Sequence, residues 1–123
     1  MIQEIQGLPA RIDAKPHLAR LGRLVSDTVL LRIDDQEHYL VFHRGQLEDI
    51  QPGPSKKIPY RFSIETDMDA IQRFWQPIPE PGFHDIFGLV KLGRAKIAGD
   101  ILALVKNLRF YKEVLALPRE DRT

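Results

Sequence analysis

Thr28-Val-Leu-Leu-Arg-Ile33, Asp34-Asp-Gln-Glu37 and His38-Tyr-Leu-Val-Phe-His-Arg44 follow one another without a break, and their reading decides the fold class. The first run puts Val29, Leu31 and Ile33 on one side of a strand, because side chains alternate between faces. The acidic stretch after it is a polar turn. The β-branched and aromatic run beyond is a second strand, and Gly45 permits a tight reversal or a bulge. Residues 46–50 make a short third strand, stopped by Gln51-Pro-Gly-Pro54. Ile58-Pro-Tyr-Arg-Phe-Ser-Ile-Glu65 alternates again, with Ile58, Tyr60, Phe62 and Ile64 on one side. The spacing predicts an antiparallel meander of four strands with one buried face.

On both flanks the period changes from two to that of a helix. Leu18, Leu21, Leu24 and Val25 recur at helical spacing behind Pro16, predicting an amphipathic helix over 16–26 with Arg20 and Arg23 facing water. Residues 1–13 read as an N-terminal extension in which Ile2, Ile5 and Leu8 form one more turn against the domain. After the strands, Thr66 stands as the N-cap of a helix reaching about residue 76, with Met68, Ile71, Phe74 and Trp75 on its apolar side. Pro77-Ile-Pro-Glu-Pro-Gly82 then imposes an extended linker. Phe83, Ile86, Phe87 and Val90 begin a further helix that Gly93 ends, and Arg94-Ala-Lys-Ile-Ala-Gly99 reads equally as its continuation or as a short edge strand. Asp100 caps a last helix over 101–117, Pro118 stops it, and 118–123 is a polar tail. Apolar residues cover more of that last helix than the stripe of about 100° expected for one-sided packing. It is therefore either sandwiched or lines an apolar cavity.

The length of 123 residues predicts one domain, and 43% hydrophobic with 28% charged residues is an ordinary globular balance. A net charge of +1 is poor equipment for a dedicated nucleic-acid binder, which normally carries a concentrated positive excess, and no nucleic-acid partner is expected. With no cysteine, disulfides, thiolate metal sites and Cys nucleophiles are excluded as well. No apolar run approaches the length of a membrane span, and Met-Ile-Gln-Glu-Ile-Gln at the start is no secretory signal, so the expected compartment is the cytoplasm. Charge is uneven: 1–82 carry 10 basic and 12 acidic residues, 83–123 carry 8 and 5. Lys91, Arg94, Lys96, Lys106, Arg109 and Lys112 form either a solvated helix face or a contact surface for an anionic membrane or an acidic protein partner.

A search for chemistry returns little. His38 and His43 lie five apart on one predicted strand and point to opposite faces, and His17 and His84 sit in other elements, so no metal site is expected. Ser26, Ser55 and Ser63 lie in no nucleophile elbow. The carboxylate pairs Asp34/Asp35, Glu48/Asp49 and Asp67/Asp69 fall where turns, strand edges and caps account for them. Gly88, Gly93 and Gly99 are too widely spaced for a dinucleotide loop. The chain reads as a non-enzyme with no cofactor. What stands out is the apolar surplus from Phe74 to Leu92 and along the last helix, suited either to core or to a pocket for a large apolar ligand.

Three stretches carry a family resemblance. Lys91-Leu-Gly-Arg-Ala-Lys-Ile-Ala-Gly-Asp-Ile-Leu-Ala-Leu-Val-Lys106 resembles the basic, glycine-bearing segment that leads into the Leu-rich helix of the sterol-carrier, or non-specific lipid-transfer, domain. Glu37-His-Tyr-Leu-Val-Phe-His-Arg-Gly45 resembles that family's central strands, and Ile64-Glu-Thr-Asp-Met-Asp-Ala-Ile71 its strand-to-helix junction. The likeness spans about residues 16–117; Pro77, Pro79 and Pro81 depart from it. It implies an α+β fold: an antiparallel sheet of about five strands, the fifth from 94–98, with helices over one face enclosing an apolar tunnel. By position, the implied tunnel lining is Ile71, Phe74, Trp75, Phe83, Ile86, Phe87, Val90, Ile101, Leu104, Val105 and Leu108. The implied function is non-catalytic binding, carrying or presenting of a lipid, fatty acyl group, sterol or isoprenoid quinone. The alternative is an accessory subunit with a filled core, with ubiquinone biosynthesis as one setting.

Overall fold

The computed structural model describes residues 2–55 and 57–122. Five strands, β1 (Thr28–Ile33), β2 (Gln36–His43), β3 (Gln46–Pro52), β4 (Phe62–Thr66) and β5 (Ala95–Gly99), form one sheet in the order β3-β2-β1-β4-β5. Three neighbouring pairs are antiparallel, but β1 and β4 are parallel. The four-strand meander expected from the alternation therefore stops at β3. Ile58 and Tyr60 belong to a crossover, not to a strand, and that crossover carries the chain to the far side of β1. Tyr60 packs against Tyr39 with the rings tilted and their centroids 6.2 Å apart, and the Tyr39 hydroxyl donates to the Ser55 carbonyl at 2.8 Å. These contacts lie on the outer face of the sheet, where Leu30, Tyr39 and Ser63 are buried.

Register puts Val29, Leu31, Ile33, Leu40, Phe62 and Ile64 on the other face, and the helices bury them in one core. The expected N-terminal extension is, over residues 2–13, part of that core. These residues form α1 (Gln3–Gln6) and α2 (Leu8–Asp13), and Ile5, Leu8 and Ile12 are fully buried. The next helix, α3 (Pro16–Leu21), is shorter than its apolar spacing suggests. Gly22 ends it pressed against Gly45: a Cβ on Gly22 would overlap the Phe110 ring and lie 2.9 Å from Gly45 Cα. That close approach seats the loop before β1 on the β2–β3 turn, where Gly45 N–H bonds the Val25 carbonyl at 3.0 Å.

Caps and breaks fix the remaining helices. The N-cap of α4 (Met68–Phe74) is Asp67, which accepts from Ala70 N–H at 2.8 Å. Thr66, expected there, is the last residue of β4 and donates its hydroxyl to the Arg94 carbonyl at 2.8 Å. α5 (Ile86–Lys91) starts at Asp85, which accepts from Phe87 and Gly88 N–H. The expected last helix is two, α6 (Ile101–Lys106) and α7 (Leu108–Ala116), because Asn107 leaves helical geometry at φ −123° and ψ 36°. A 3-10 turn over Leu117–Arg122 follows, accommodating Pro118. No helix among the described residues is long and apolar enough to cross a membrane.

Candidate functional site

At the end of the sheet where β1 and β4 begin and β5 finishes, a groove of about 510 Å³ opens beside α6. Leu24, Ser26 and Asp27 from the loop before β1 form one wall, and Leu102, Ala103, Lys106 and Asn107 form the other. Arg61 and Asp100 close it between them. Arg61 Nε stands 3.1 Å from Asp27 Oδ1 and its Nη1 stands 3.7 Å from Asp100 Oδ2, so one guanidinium serves both carboxylates. Asp100 also caps α6 by accepting from Ala103 N–H at 3.2 Å. Two backbone bonds of 2.8 Å, from Arg61 N–H to the Thr28 carbonyl and from Asp100 N–H to the Arg61 carbonyl, pin this end of the sheet.

Most of the groove's lining is polar or charged, and Leu24 and Leu102 are its two large apolar side chains. Leu24 is 80% exposed and Leu102 63%. Along α6, Ile101 and Val105 also face solvent, while Leu104 is fully buried. A helix with this pattern keeps one apolar residue for the core and offers three outward, the reverse of an ordinary amphipathic surface helix.

The residues expected to line a tunnel divide into three groups. Ile71, Phe74, Trp75, Phe83, Ile86 and Leu104 are buried together in the core between helices and sheet. Phe87 and Leu108 are half-buried against it. Val90, Ile101 and Val105 lie on the surface. The groove itself is bounded by none of these, and the sequence reading missed Leu24, Arg61 and Asp27. Leu24 was expected on the inward side of a helix over 16–26; the only signal to the contrary is Gly22, where α3 stops.

The six cations of the C-terminal third are not equivalent. Arg94 Nη2 stands 3.0 Å from both Asp67 Oδ1 and Asp69 Oδ2, and these hydrogen bonds raise its already high pKa. Arg109 pairs with Glu113 at 3.0 Å and Lys112 with Asp85 at 3.5 Å. Lys91, Lys96 and Lys106 are exposed and make no ion pair among the described residues.

The histidines stay apart. His38 is buried, and its Nδ1 donates to the Leu31 carbonyl at 3.3 Å, which fixes the tautomer because a carbonyl only accepts. Burial lowers its pKa, against the opposing pull of that bond. His17 Nε2 lies 2.7 Å from Glu113 Oε1, and His43 and His84 are exposed. Ser63 is buried on the outer face of the sheet. Among the described residues no group of three His, Asp or Glu side chains is placed to hold a metal ion.

By sequence, the chain matches no family model and no curated protein. Solved structures do match it. A crystal structure of sterol carrier protein 2 superimposes with a TM-score of 0.75 at 15% identity, covering 98% of this chain and 96% of the other. The UbiJ-SCP2 ubiquinone synthesis protein matches with a TM-score of 0.62 at 15% identity, over 96% of this chain and 89% of its own. The inverting alkylsulfatase Pisa1 from Pseudomonas sp. matches with a TM-score of 0.54 at 18% identity, over 85% of this chain but only 15% of the enzyme. The same architecture thus stands nearly alone in two proteins and as a small part of a third. In fold, this chain is a sterol-carrier-protein-2-like domain.

Proposed function

We propose that the protein binds a lipid or another large apolar molecule, such as a fatty acyl group, a sterol-like molecule or an isoprenoid quinone, and carries or presents it without catalysis. The observation that carries this reading is the exposed apolar surface of α6, Ile101, Leu102 and Val105, of which Leu102 lines an open groove together with Leu24. Removing such surface from water yields roughly 25 cal/mol per Å², and among the described residues these side chains stay exposed. The core residues behind α6 form the interior into which a ligand's hydrocarbon would extend, with Ile71, Phe74, Trp75, Phe83, Ile86, Phe87, Leu104 and Leu108 moving apart to admit it. Val90, Ile101 and Val105 would bound its outer end. Contact with an anionic membrane, or with an acidic partner, falls to Lys91, Lys96 and Lys106 on this reading, since Arg94, Arg109 and Lys112 already face carboxylates.

A second reading is favoured by a different observation: Trp75, Phe74, Ile71, Ile86 and Leu104 are all buried in one core. A core filled in this way suits an accessory subunit that acts by contact alone, and the likeness to a ubiquinone synthesis protein supports that setting. Native mass spectrometry of the purified protein, followed by organic extraction, separates the two. A bound species of several hundred daltons is the expected result. A bare chain mass, with no uptake of fluorescent fatty acid or quinone analogues, would leave the accessory role.

A further inference from the structure

Among the described residues, Tyr111 Oη is the buried side-chain polar atom without a hydrogen-bond partner. The contrast with the other buried rings is sharp. Trp75 Nε1 donates to the Leu115 carbonyl at 2.9 Å, and the Tyr39 hydroxyl donates to the Ser55 carbonyl at 2.8 Å. Tyr111, only 2% exposed, meets rings instead: Phe42, Phe62 and Phe110 stand edge-on to it with centroids 5.9, 5.1 and 5.4 Å away. Leaving a hydroxyl unpaired in such surroundings is costly, and native folds rarely do so without a reason.

Its position gives the reason. Ala103 and Asn107 line the groove, and Tyr111 follows one turn deeper, its N–H bonded to the Asn107 carbonyl at 3.1 Å. The charged groups that act on the phenol are Asp27 and Arg61, the ion pair in the groove's wall. The ring itself stands edge-on to Phe62, the residue that follows Arg61, which puts it at the groove end of the core. Burial pushes the phenol's pKa above its usual range, so the ring remains a neutral hydrogen-bond donor at any physiological pH.

We propose that Tyr111 donates a hydrogen bond to an oxygen acceptor on the apolar ligand that enters between Leu24 and Leu102, so that the site selects oxygen-bearing lipids over plain hydrocarbons. The inference rests on the lipid-binding reading and adds a chemical class to it: a long hydrocarbon bearing a carbonyl-type oxygen. The test is displacement of a pyrene-labelled alkane from the wild type and from Tyr111→Phe, using a long-chain methyl ketone and the alkane of equal length. The wild type should prefer the ketone roughly five- to tenfold, the worth of one net hydrogen bond. Tyr111→Phe should lose that preference, keep its affinity for the alkane, and be as stable as the wild type without ligand. Equal affinity for ketone and alkane in both proteins overturns the role of Tyr111 and leaves the lipid-binding reading standing. Failure of the wild type to bind any of the three compounds overturns both. A ligand-free Tyr111→Phe that unfolds markedly earlier than the wild type also overturns it, because the hydroxyl would then be satisfied within the fold, for instance by an internal water.

Discussion

Trp75 and Leu115 are joined by a 2.9 Å bond from the indole Nε1 to the carbonyl oxygen, 40 residues apart in the chain and both buried. Leu115 lies in the last turn of α7, where a helix has no intrahelical donors left for its carbonyls. The indole thus completes one helix from the end of another and fastens α4 to α7. Trp75→Phe should cost about 1–3 kcal/mol for the unpaired carbonyl, and more for the smaller ring. Urea unfolding followed by circular dichroism measures it, since the variant has no tryptophan left to fluoresce. A change near zero would mean the link contributes nothing to the fold.

Asp67 works in two directions at once. It caps α4 through Ala70 N–H, and it holds Arg94 at 3.0 Å beside β5. The Ala70 bond first, and the Arg94 guanidinium second, lower its pKa below the ordinary 3.8. A carboxylate depressed in this way stabilises the fold above that pH and loses its contribution as pH falls below it. Asp67→Ala should therefore lower stability by about 0.5–2 kcal/mol at neutral pH, the usual worth of a cap. Thermal melts repeated near pH 2.5 should bring variant and wild type together; a gap that persists there would point to packing.

His38 gives a pH dependence of its own in a separate window. Its folded-state pKa is lowered from 6.5 by burial, so the unfolded chain takes up the proton first as pH falls through that value. Stability from this residue is complete above the unfolded pKa and declines below it, by at most about 1.4 kcal/mol per pH unit. His38→Leu should flatten the urea-unfolding free energy between about pH 6.5 and pH 5. An unchanged slope in the variant would assign the proton elsewhere.

Gly22 sets the wall of the groove from a distance. Its Cα faces Gly45 and Phe110 so closely that a methyl group has no room. Gly22→Ala should destabilise by about 1–3 kcal/mol, as overpacking does, and should shift the loop that carries Leu24. Amide chemical shifts of residues 23–27 would report the movement, and shifts identical to wild type would show that the neighbours yield instead.

The outer row of α6 separates folding from binding. Leu102→Ser combined with Val105→Ser changes exposed positions and should alter stability by no more than about 0.5 kcal/mol per site. Uptake of a fluorescent fatty acid should fall sharply in the same protein. Leu104→Ala, one residue away but fully buried, should cost about 2–5 kcal/mol. Undiminished uptake by the double variant would place the ligand elsewhere.

Much of this architecture is legible in order. Alternation at Val29, Leu31 and Ile33, and the run from His38 to His43, mark β1 and β2 because a half-buried strand imposes a period of two. Asp100 marks the start of α6 because a short carboxylate there answers free N–H groups. The partner of each strand is less legible. Ile58 and Tyr60 alternate as well as Phe62 and Ile64 do, yet Tyr60 lies against Tyr39 on the outer face and only Phe62 and Ile64 enter the sheet. Period says that a residue is to be buried, not on which face or beside which strand.

The candidate site divides along the same line. Local sequence by itself determined that the chain is α+β, that its C-terminal third is rich in apolar side chains, and that caps and prolines punctuate its helices. Each of these rests on interactions within a few residues: side-chain periodicity, a cap's hydrogen bond, proline's fixed backbone. Tertiary structure alone decided that β4 runs parallel to β1, that Arg61 stands between Asp27 and Asp100, and that Leu24 faces Leu102 across a groove. It also decided that Trp75 finds a carbonyl while Tyr111 finds only rings. An apolar or aromatic residue reads the same in sequence whether it fills the core or edges a groove, because hydrophobicity is a preference for leaving water and carries no direction. Direction comes only when distant elements close around it.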